Sequence, residues 1–300
     1  MNYKKIIKSR DLRIKLMRML SFIPDKFMIF VQYRLATGRK LNLKKPIRYT
    51  EKLQWYKLYY RDPLMGKCAD KFEVRSYVES KGLKDILVPL IGIYDTVDEI
   101  TFDKLPNQFV IKDTLGGGGH SVILVKDKKN TDIEQLKLNA LKWIKESKGK
   151  NPGREWVYDN KKNRIIIEKF IDSNENQGGL VDYKFFCFNG KVEYVYVITD
   201  RKPDNNSKIG IYNRNFERLP FSRYGKTPLT KNIQKPEKYE EMIKISEILS
   251  KDFPHARIDL YNSENKILFG EITFFNGSGY ILFEPDEFDY ILGEKFILPN

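Results

Sequence analysis

Cysteine and histidine are scarce in this 300-residue chain, which has two of each. Cys68 and Cys187 lie far apart and neither belongs to a CxxC pair. That argues against a zinc site and a disulfide scaffold, and a reducing cytoplasm is the expected setting. One isolated Cys187 with His120 and His255 is too little for a Cys–His nucleophile, and no Ser–His–Asp arrangement is visible. No apolar run reaches the roughly 18 residues that a spanning helix needs, so an integral membrane protein is not expected. The basic N-terminus is not followed by the apolar block and cleavage site of a secretory signal. Internal repeats and low-complexity tracts are also lacking.

Charge is plentiful but uneven. The chain has 54 Lys+Arg against 40 Asp+Glu, a net +14. Residues 1–60 hold 16 basic residues and three acids (Asp11, Asp25, Glu51), so +13 of the total sits there and +1 in the remaining 240 residues. Residues 3–20 read as a helix in which Lys4, Lys5, Lys8, Arg10, Arg13, Lys15 and Arg18 are interleaved with Ile6, Ile7, Ile14 and Met17. A second apolar set (Leu12, Leu16, Met19, Leu20) blurs the amphipathic pattern. Pro24 suits the first turn of a second helix, with Gly38 near its end. Such a basic segment fits an anionic lipid surface, or a helical hairpin packed on the body with a solvated basic face. Nucleic acid is not expected, since no zinc-finger, RRM or basic-zipper pattern accompanies the charge.

The body reads as mixed helix and strand. Residues 50–62 predict a helix with Thr50 as a cap, and Asp70 caps a helix running to Lys81 that Gly82 stops. Strands are predicted at 87–93 and 108–113, a helix at 131–147, and a buried strand at 164–171. Residues 181–188 and 192–199 alternate around Asn189-Gly190, a hairpin signal. Residues 200–235 read as a long surface excursion. A helix over 236–251 and a strand pair at 256–262 and 266–274 follow, and the chain closes in aromatic-rich turns.

Two places carry chemistry. The first is a strand ending in Lys112, followed by Gly116, Gly117, Gly118 and Gly119 and a returning strand at Val122–Val125. Loops without side chains bring backbone N–H groups close to phosphate oxygens, and His120 is placed to touch one. No Gly-Lys-Ser/Thr closes the loop, so it is not a Walker motif. Strand, Gly loop and strand is the geometry of a flap closing over a nucleotide, with a flexible hairpin tip as the alternative. The second is Arg257-Ile-Asp259 and, across a hairpin, Glu271-Ile-Thr273, whose neighbours are apolar. Two inward carboxylates are costly unless they bind a cation; magnesium takes one or two carboxylates plus phosphate oxygens. Ordinary solvent-facing acids on a half-exposed hairpin are the alternative. Asp182 and Lys184, two apart, share one strand face. His255, after Pro254, reads as structural.

Taken in chain order these pieces resemble the ATP-grasp fold: Asp70-Lys71 at a helix start, Lys112 with its Gly flap, Glu168-Lys-Phe-Ile171, Arg257-X-Asp259 and Glu271. Longer strings resemble the TupA-like branch of teichuronopeptide and capsular polysaccharide biosynthesis, from about residue 24 onward. They include Lys45-Pro-Ile-Arg-Tyr-Thr-Glu-Lys-Leu-Gln-Trp55, Ala69-Asp-Lys-Phe-Glu-Val-Arg75, Leu105-Pro-Asn-Gln-Phe-Val-Ile-Lys112, Asp182-Tyr-Lys-Phe-Phe-Cys-Phe-Asn-Gly190, Arg257-Ile-Asp-Leu-Tyr261, Phe269-Gly-Glu-Ile-Thr-Phe274 and Asp289-Tyr-Ile-Leu-Gly293.

The resemblance implies an α+β fold of two subdomains gripping ATP. Its expected division is a basic helical segment over 1–60, a first lobe with the flap over 61–160 and a second lobe with the metal hairpin over 161–300. It implies Lys71 and Lys112 on the ATP phosphates and Gly116 to Gly119 as the flap. Glu168 to Ile171 form the adenine hinge, with the backbones of Lys169 and Ile171 toward the base. Asp259 and Glu271 hold Mg²⁺, and Arg257 and Lys184 steady the transferring phosphoryl group. Thr273 stands where many ATP-grasp enzymes have Asn, so Thr273, Asn276 or water completes the metal shell. The implied activity is a carboxylate–amine ligase joining an amino acid or amine to a uronic-acid carboxylate of a surface polysaccharide or its precursor, through an acyl phosphate. A sugar kinase, a glycosyltransferase and a non-catalytic assembly factor are the alternatives. The expected place is the cytoplasm, with peripheral attachment at the inner face of the membrane as the alternative.

Overall fold

In a computed structural model, the structure describes residues 9–117, 119, 121–145, 150–171, 180–199, 207–263 and 266–299. Two antiparallel hairpin systems build two sheets. Four short strands form the first: β1 (Leu90–Tyr94), β2 (Phe109–Asp113), β3 (Val122–Val125) and β4 (Ile165–Lys169), in the order β1-β4-β2-β3. In β4, Ile165 and Ile167 turn to one face and pack with Phe109, Ile111, Leu136 and Ala140. Leu136 and Ala140 come from the amphipathic helix over Ile133–Lys145, whose apolar stripe covers that face.

The second sheet is larger. It contains β5 (Asp182–Phe188), β6 (Lys191–Thr199), β7 (Lys208–Asn213), β9 (Thr227–Pro228), β10 (His255–Ser263) and β11 (Lys266–Thr273), in the order β11-β10-β5-β6-β7-β9. A two-residue strand, β8 (Ser222–Arg223), pairs instead with β12 (Phe283–Glu284). Asn189 and Gly190 both take positive φ, 50° and 74°, the twist-matched turn that a tight hairpin demands. Odd-numbered β5 residues face the helix Tyr239–Ser250: Phe185 packs on Tyr239, and the Cys187 thiol reaches Ser246 O. The opposite face carries Phe186, Phe188 and His255, which pack on Tyr49. The rest of that face is the candidate site.

The N-terminal helices Arg10–Met19 (α1), Asp25–Thr37 (α2) and Tyr49–Tyr59 (α3) are tied to the body. Tyr49, Leu53 and Tyr56 are fully buried in the main core, so α3 packs into the same core as the second sheet. Thr50 is not the cap of α3. Arg48 holds that position, and Glu51 accepts the loop N–H groups of Asn42, Ile47 and Arg48 at 3.0–3.2 Å. Thr50 instead gives its N–H and hydroxyl to Asp289 at 3.0 and 2.8 Å.

Two other expectations change. Residues 207–235 are not one excursion, because β7 pairs along its whole length with β6. The chain does not close in turns alone, since Glu287–Lys295 is a helix (α8). β4 lies in the first sheet, between β1 and β2. Asp70 accepts from Phe72 and Glu73 N–H at 2.8 and 2.9 Å in the turn before the helix Val74–Ser80, whose cap position is Glu73, and it also ends an unforeseen helix, Pro63–Ala69. The start of the 3–20 helix, including Lys4, Lys5, Ile6, Ile7 and Lys8, lies outside the described residues, as do Gly118 and His120.

Candidate functional site

Register builds the centre of the site. Glu271, Asp259, Lys184 and Tyr196 stand opposite one another on β11, β10, β5 and β6, one polar row across four strands. Strand alternation puts Arg257 and Asp182 on the same face, two residues from Asp259 and Lys184. Arg257 gathers the neighbourhood. Its Nε and Nη2 donate to the two Asp259 oxygens at 2.7 and 2.8 Å. Nη2 also reaches Glu271 Oε1 at 3.1 Å and Thr273 Oγ1 at 3.0 Å, and Nη1 reaches Asn276 Oδ1 at 2.7 Å. Lys184 bridges Asp259 and Asp182, the latter at 2.9 Å. The four residues expected around a cation thus ring one guanidinium.

The charges are strained against one another. Burial, reinforced by Asp182 and Glu271, pushes the Asp259 carboxyl up to about 6 against the pull of Arg257 and Lys184. Burial also works against ionised Glu271, but Lys184, Arg257 and Lys71 outweigh it and hold Glu271 down to about 2. Three acids and two cations leave a net −1 in this cluster, with Asp259 and Glu271 side by side. That donor set suits a magnesium ion that draws its remaining oxygens from phosphates. Asp259 and Glu271 would hold it, with Thr273 and Asn276 within reach. Among the described residues no group of three or more His, Cys, Asp or Glu makes a closed metal site.

The first lobe supplies the other half. Lys71 donates to Gly116 O and, at 3.4 Å, to Thr114 O, so it sits under the root of the Gly loop. Burial lowers its pKa, and the fields of Asp113 and Glu271 oppose that fall. Asp113 Oδ1 takes the Gly116 N–H at 2.7 Å and fixes where the flap begins. A Cβ at Gly117 or Gly119 would meet nothing within 4 Å, so the flap stands clear of the body. Lys112 pairs with buried Glu168 at 2.6 Å, and Arg75 approaches the other Glu168 oxygen at 3.5 Å. At the expected hinge, Lys169 N–H is taken by Pro89 O at 2.9 Å.

The matching family is described as "TupA-like ATPgrasp", over residues 51–297. The chain belongs to it. ATP-grasp ligases of known structure resemble it at the level of fold. D-alanine–D-alanine ligase from Bacillus anthracis shares 19% identity at a TM-score of 0.44, over 70% of this chain and 57% of that one. The Helicobacter pylori enzyme shares 17% at 0.45, over 83% and 69%. L-amino acid ligase from Bacillus licheniformis shares 17% at 0.40, over 71% and 42%. This chain therefore spans little more than half of the first of these ligases. No curated protein matches it.

Three features of this TupA-like site are not marked in the sequence. Tyr196 completes the polar row, and its hydroxyl is buried without a hydrogen-bond partner among the described residues. Arg223, on β8, lies with its Nη2 3.1 Å from where a Cβ of Gly277 would project, and no described carboxylate pairs with it. Lys57, fully buried, donates to Gly153 O and Ser278 O at 2.8 and 2.9 Å and props the turn that follows Asn276. In that turn Gly277, Ser278 and Gly279 all have positive φ. Burial pulls Lys57 down to about 7. The alternation of β6 could have pointed to Tyr196. Arg223 and Lys57 reach the site only through tertiary folding. His255 is structural: Nδ1–H donates to Cys187 O at 2.8 Å and Nε2 accepts from Tyr49 at 2.9 Å. Burial pushes both free thiols up to about 12, which makes them inert.

Proposed function

We propose that this protein is an ATP-dependent carboxylate–amine ligase that joins an amino acid or amine to a uronic-acid carboxylate of a surface-polysaccharide precursor. The observation that carries the reading is the Arg257 guanidinium set among Asp259, Glu271, Thr273 and Asn276, facing Lys71 under a Gly flap. Such a site positions and neutralises phosphates and offers no protein nucleophile. Lys71, Lys112 and the flap would hold the ATP phosphates, and Asp259 and Glu271 would hold Mg²⁺, which when bound would supply charge neutralisation for the transferring group. Arg257 and Lys184 steady that group as the carboxylate oxygen attacks the γ-phosphorus and ADP leaves. The amine then displaces phosphate from the acyl phosphate. Arg223, which pairs with no carboxylate among the described residues, is suited to hold the acceptor's carboxylate.

Purified protein with ATP, Mg²⁺, a uronic acid and mixed amino acids tests this. ADP and phosphate should appear only when both acceptor and amine are present, together with a product mass corresponding to the amide. ADP with a phosphosugar and no amide would replace the ligase by a sugar kinase; release of a nucleoside diphosphate from a sugar nucleotide would indicate a glycosyltransferase.

A further inference from the structure

The corner between α1 and α2 exposes large apolar side chains that a water-facing turn does not need. Phe22 is 80% exposed, Met19 65%, Phe27 61% and Leu12 50%. Met19 ends α1, Phe22 lies in the turn, and Phe27 is in the first turn of α2. Leu12 and Met19, seven apart, share one face of α1. The corner is rigid. Buried Arg154 reaches under it and donates to Leu20 O at 2.6 Å, Ile23 O at 3.1 Å and the Asp25 carboxylate at 3.0 Å. With its backbone held from below, the turn presents Phe22 outward.

The charges around the corner are of one sign. Lys15, Arg18 and Lys26 have no carboxylate within ion-pair distance among the described residues. Two of the three acids in residues 1–60 are spent internally, Asp25 on Arg154 and Lys150 and Glu51 on backbone N–H groups. Exposed Lys40, Lys44 and Lys45 extend the positive surface. An apolar prominence ringed by unopposed cations fits an anionic bilayer: rings and thioether enter the headgroup–acyl boundary while ammonium and guanidinium groups meet lipid phosphates.

We infer that the α1–α2 corner docks this protein on anionic membrane, with Met19, Phe22 and Phe27 as the inserting residues and Lys15, Arg18 and Lys26 as the phosphate contacts. The inference is independent of the ligase reading. Co-sedimentation of the full chain with phosphatidylglycerol/phosphatidylcholine vesicles tests it, with pure phosphatidylcholine as the control. Wild type should sediment with the mixed vesicles and poorly with the control, and rising salt should weaken binding as screening shortens. The variant Met19→Ser/Phe22→Ser/Phe27→Ser should lose at least about tenfold in partitioning even at low salt, because insertion and not charge alone holds the corner. Lys15→Gln/Arg18→Gln/Lys26→Gln should lose about tenfold or more, each cation contributing about fivefold near the surface. Melting temperatures near wild type confirm that both variants fold, since the replaced side chains are not in the core. Three outcomes would overturn the inference: wild type staying in the supernatant at low salt, the serine variant sedimenting as well as wild type, or a wild-type dimer that the serine variant converts to monomer without any vesicle binding.

Discussion

Glu271 and His255 show how one strand face serves opposite ends. Glu271 is held ionised by Lys184, Arg257 and Lys71 despite burial. Glu271→Gln keeps the shape and removes the charge, so turnover of the proposed reaction should fall by orders of magnitude while the thermal midpoint stays close to wild type. Steady-state rates within about threefold of wild type would make the acid pair structural. His255 lies between the Tyr49 hydroxyl and Cys187 O, and burial lowers its pKa to about 3. The unfolded chain binds this proton near pH 6.5 and the folded chain does not. The stability linked to His255 is therefore complete above about pH 6.5 and drains away as pH falls toward 3. The loss is about 1.4 kcal/mol per pH unit. Urea unfolding at pH 7 and pH 5 should show that slope for wild type and a flatter one for His255→Gln, whose amide can serve both partners. Equal slopes would show that this imidazole does not set acid lability.

At the scale of elements, the strand face was largely legible in the sequence because period-two alternation decides which side chains share it. Asp182 with Lys184 and Arg257 with Asp259 follow from that rule, and the Asn189-Gly190 turn follows from the positive φ that these two residues tolerate. What alternation cannot supply is the partner of each strand. β7 was hidden in a polar stretch because its Ile209 and Ile211 are too few to announce a strand before β6 is beside them. α8 was hidden because Glu287–Lys295 has a weak apolar stripe and earns its place through Phe288 and Leu292, buried against α3 and neighbouring rings. Arg154 shows the same limit: a lone basic residue in a loop, it stitches the end of α1 to the start of α2. Arg154→Ala should leave those carbonyls without their donor, at about 1–3 kcal/mol of local stability. Hydrogen exchange should quicken over residues 20–37 with little change in β10 and β11. Uniform quickening across both regions would mean that Arg154 supports the whole fold.

For the whole molecule, the central fact is that the stretch from Arg39 to Thr50 meets the last described helix. Asp289 on α8 accepts from the Thr50 N–H and hydroxyl of α3, and Arg39 and Arg48 approach it from the arm at 3.3 and 3.4 Å. Burial raises the Asp289 pKa against these four contacts. Asp289→Ala would strand buried donors and cations together, and the urea midpoint should drop by the equivalent of about 3–5 kcal/mol. A change under about 0.5 kcal/mol would show the junction to be incidental. The junction also has a consequence in time. α3 leaves the ribosome early and α8 follows every other described element. During synthesis, then, Tyr49 and Tyr56 can meet Phe186, Phe188 and Phe275 but lack the Phe296 ring, and Thr50 lacks its Asp289 acceptor, until the last described stretch arrives. A nascent chain halted before residue 285 should remain open to protease within 49–59 however long it waits, and release of the final stretch should close it in one step.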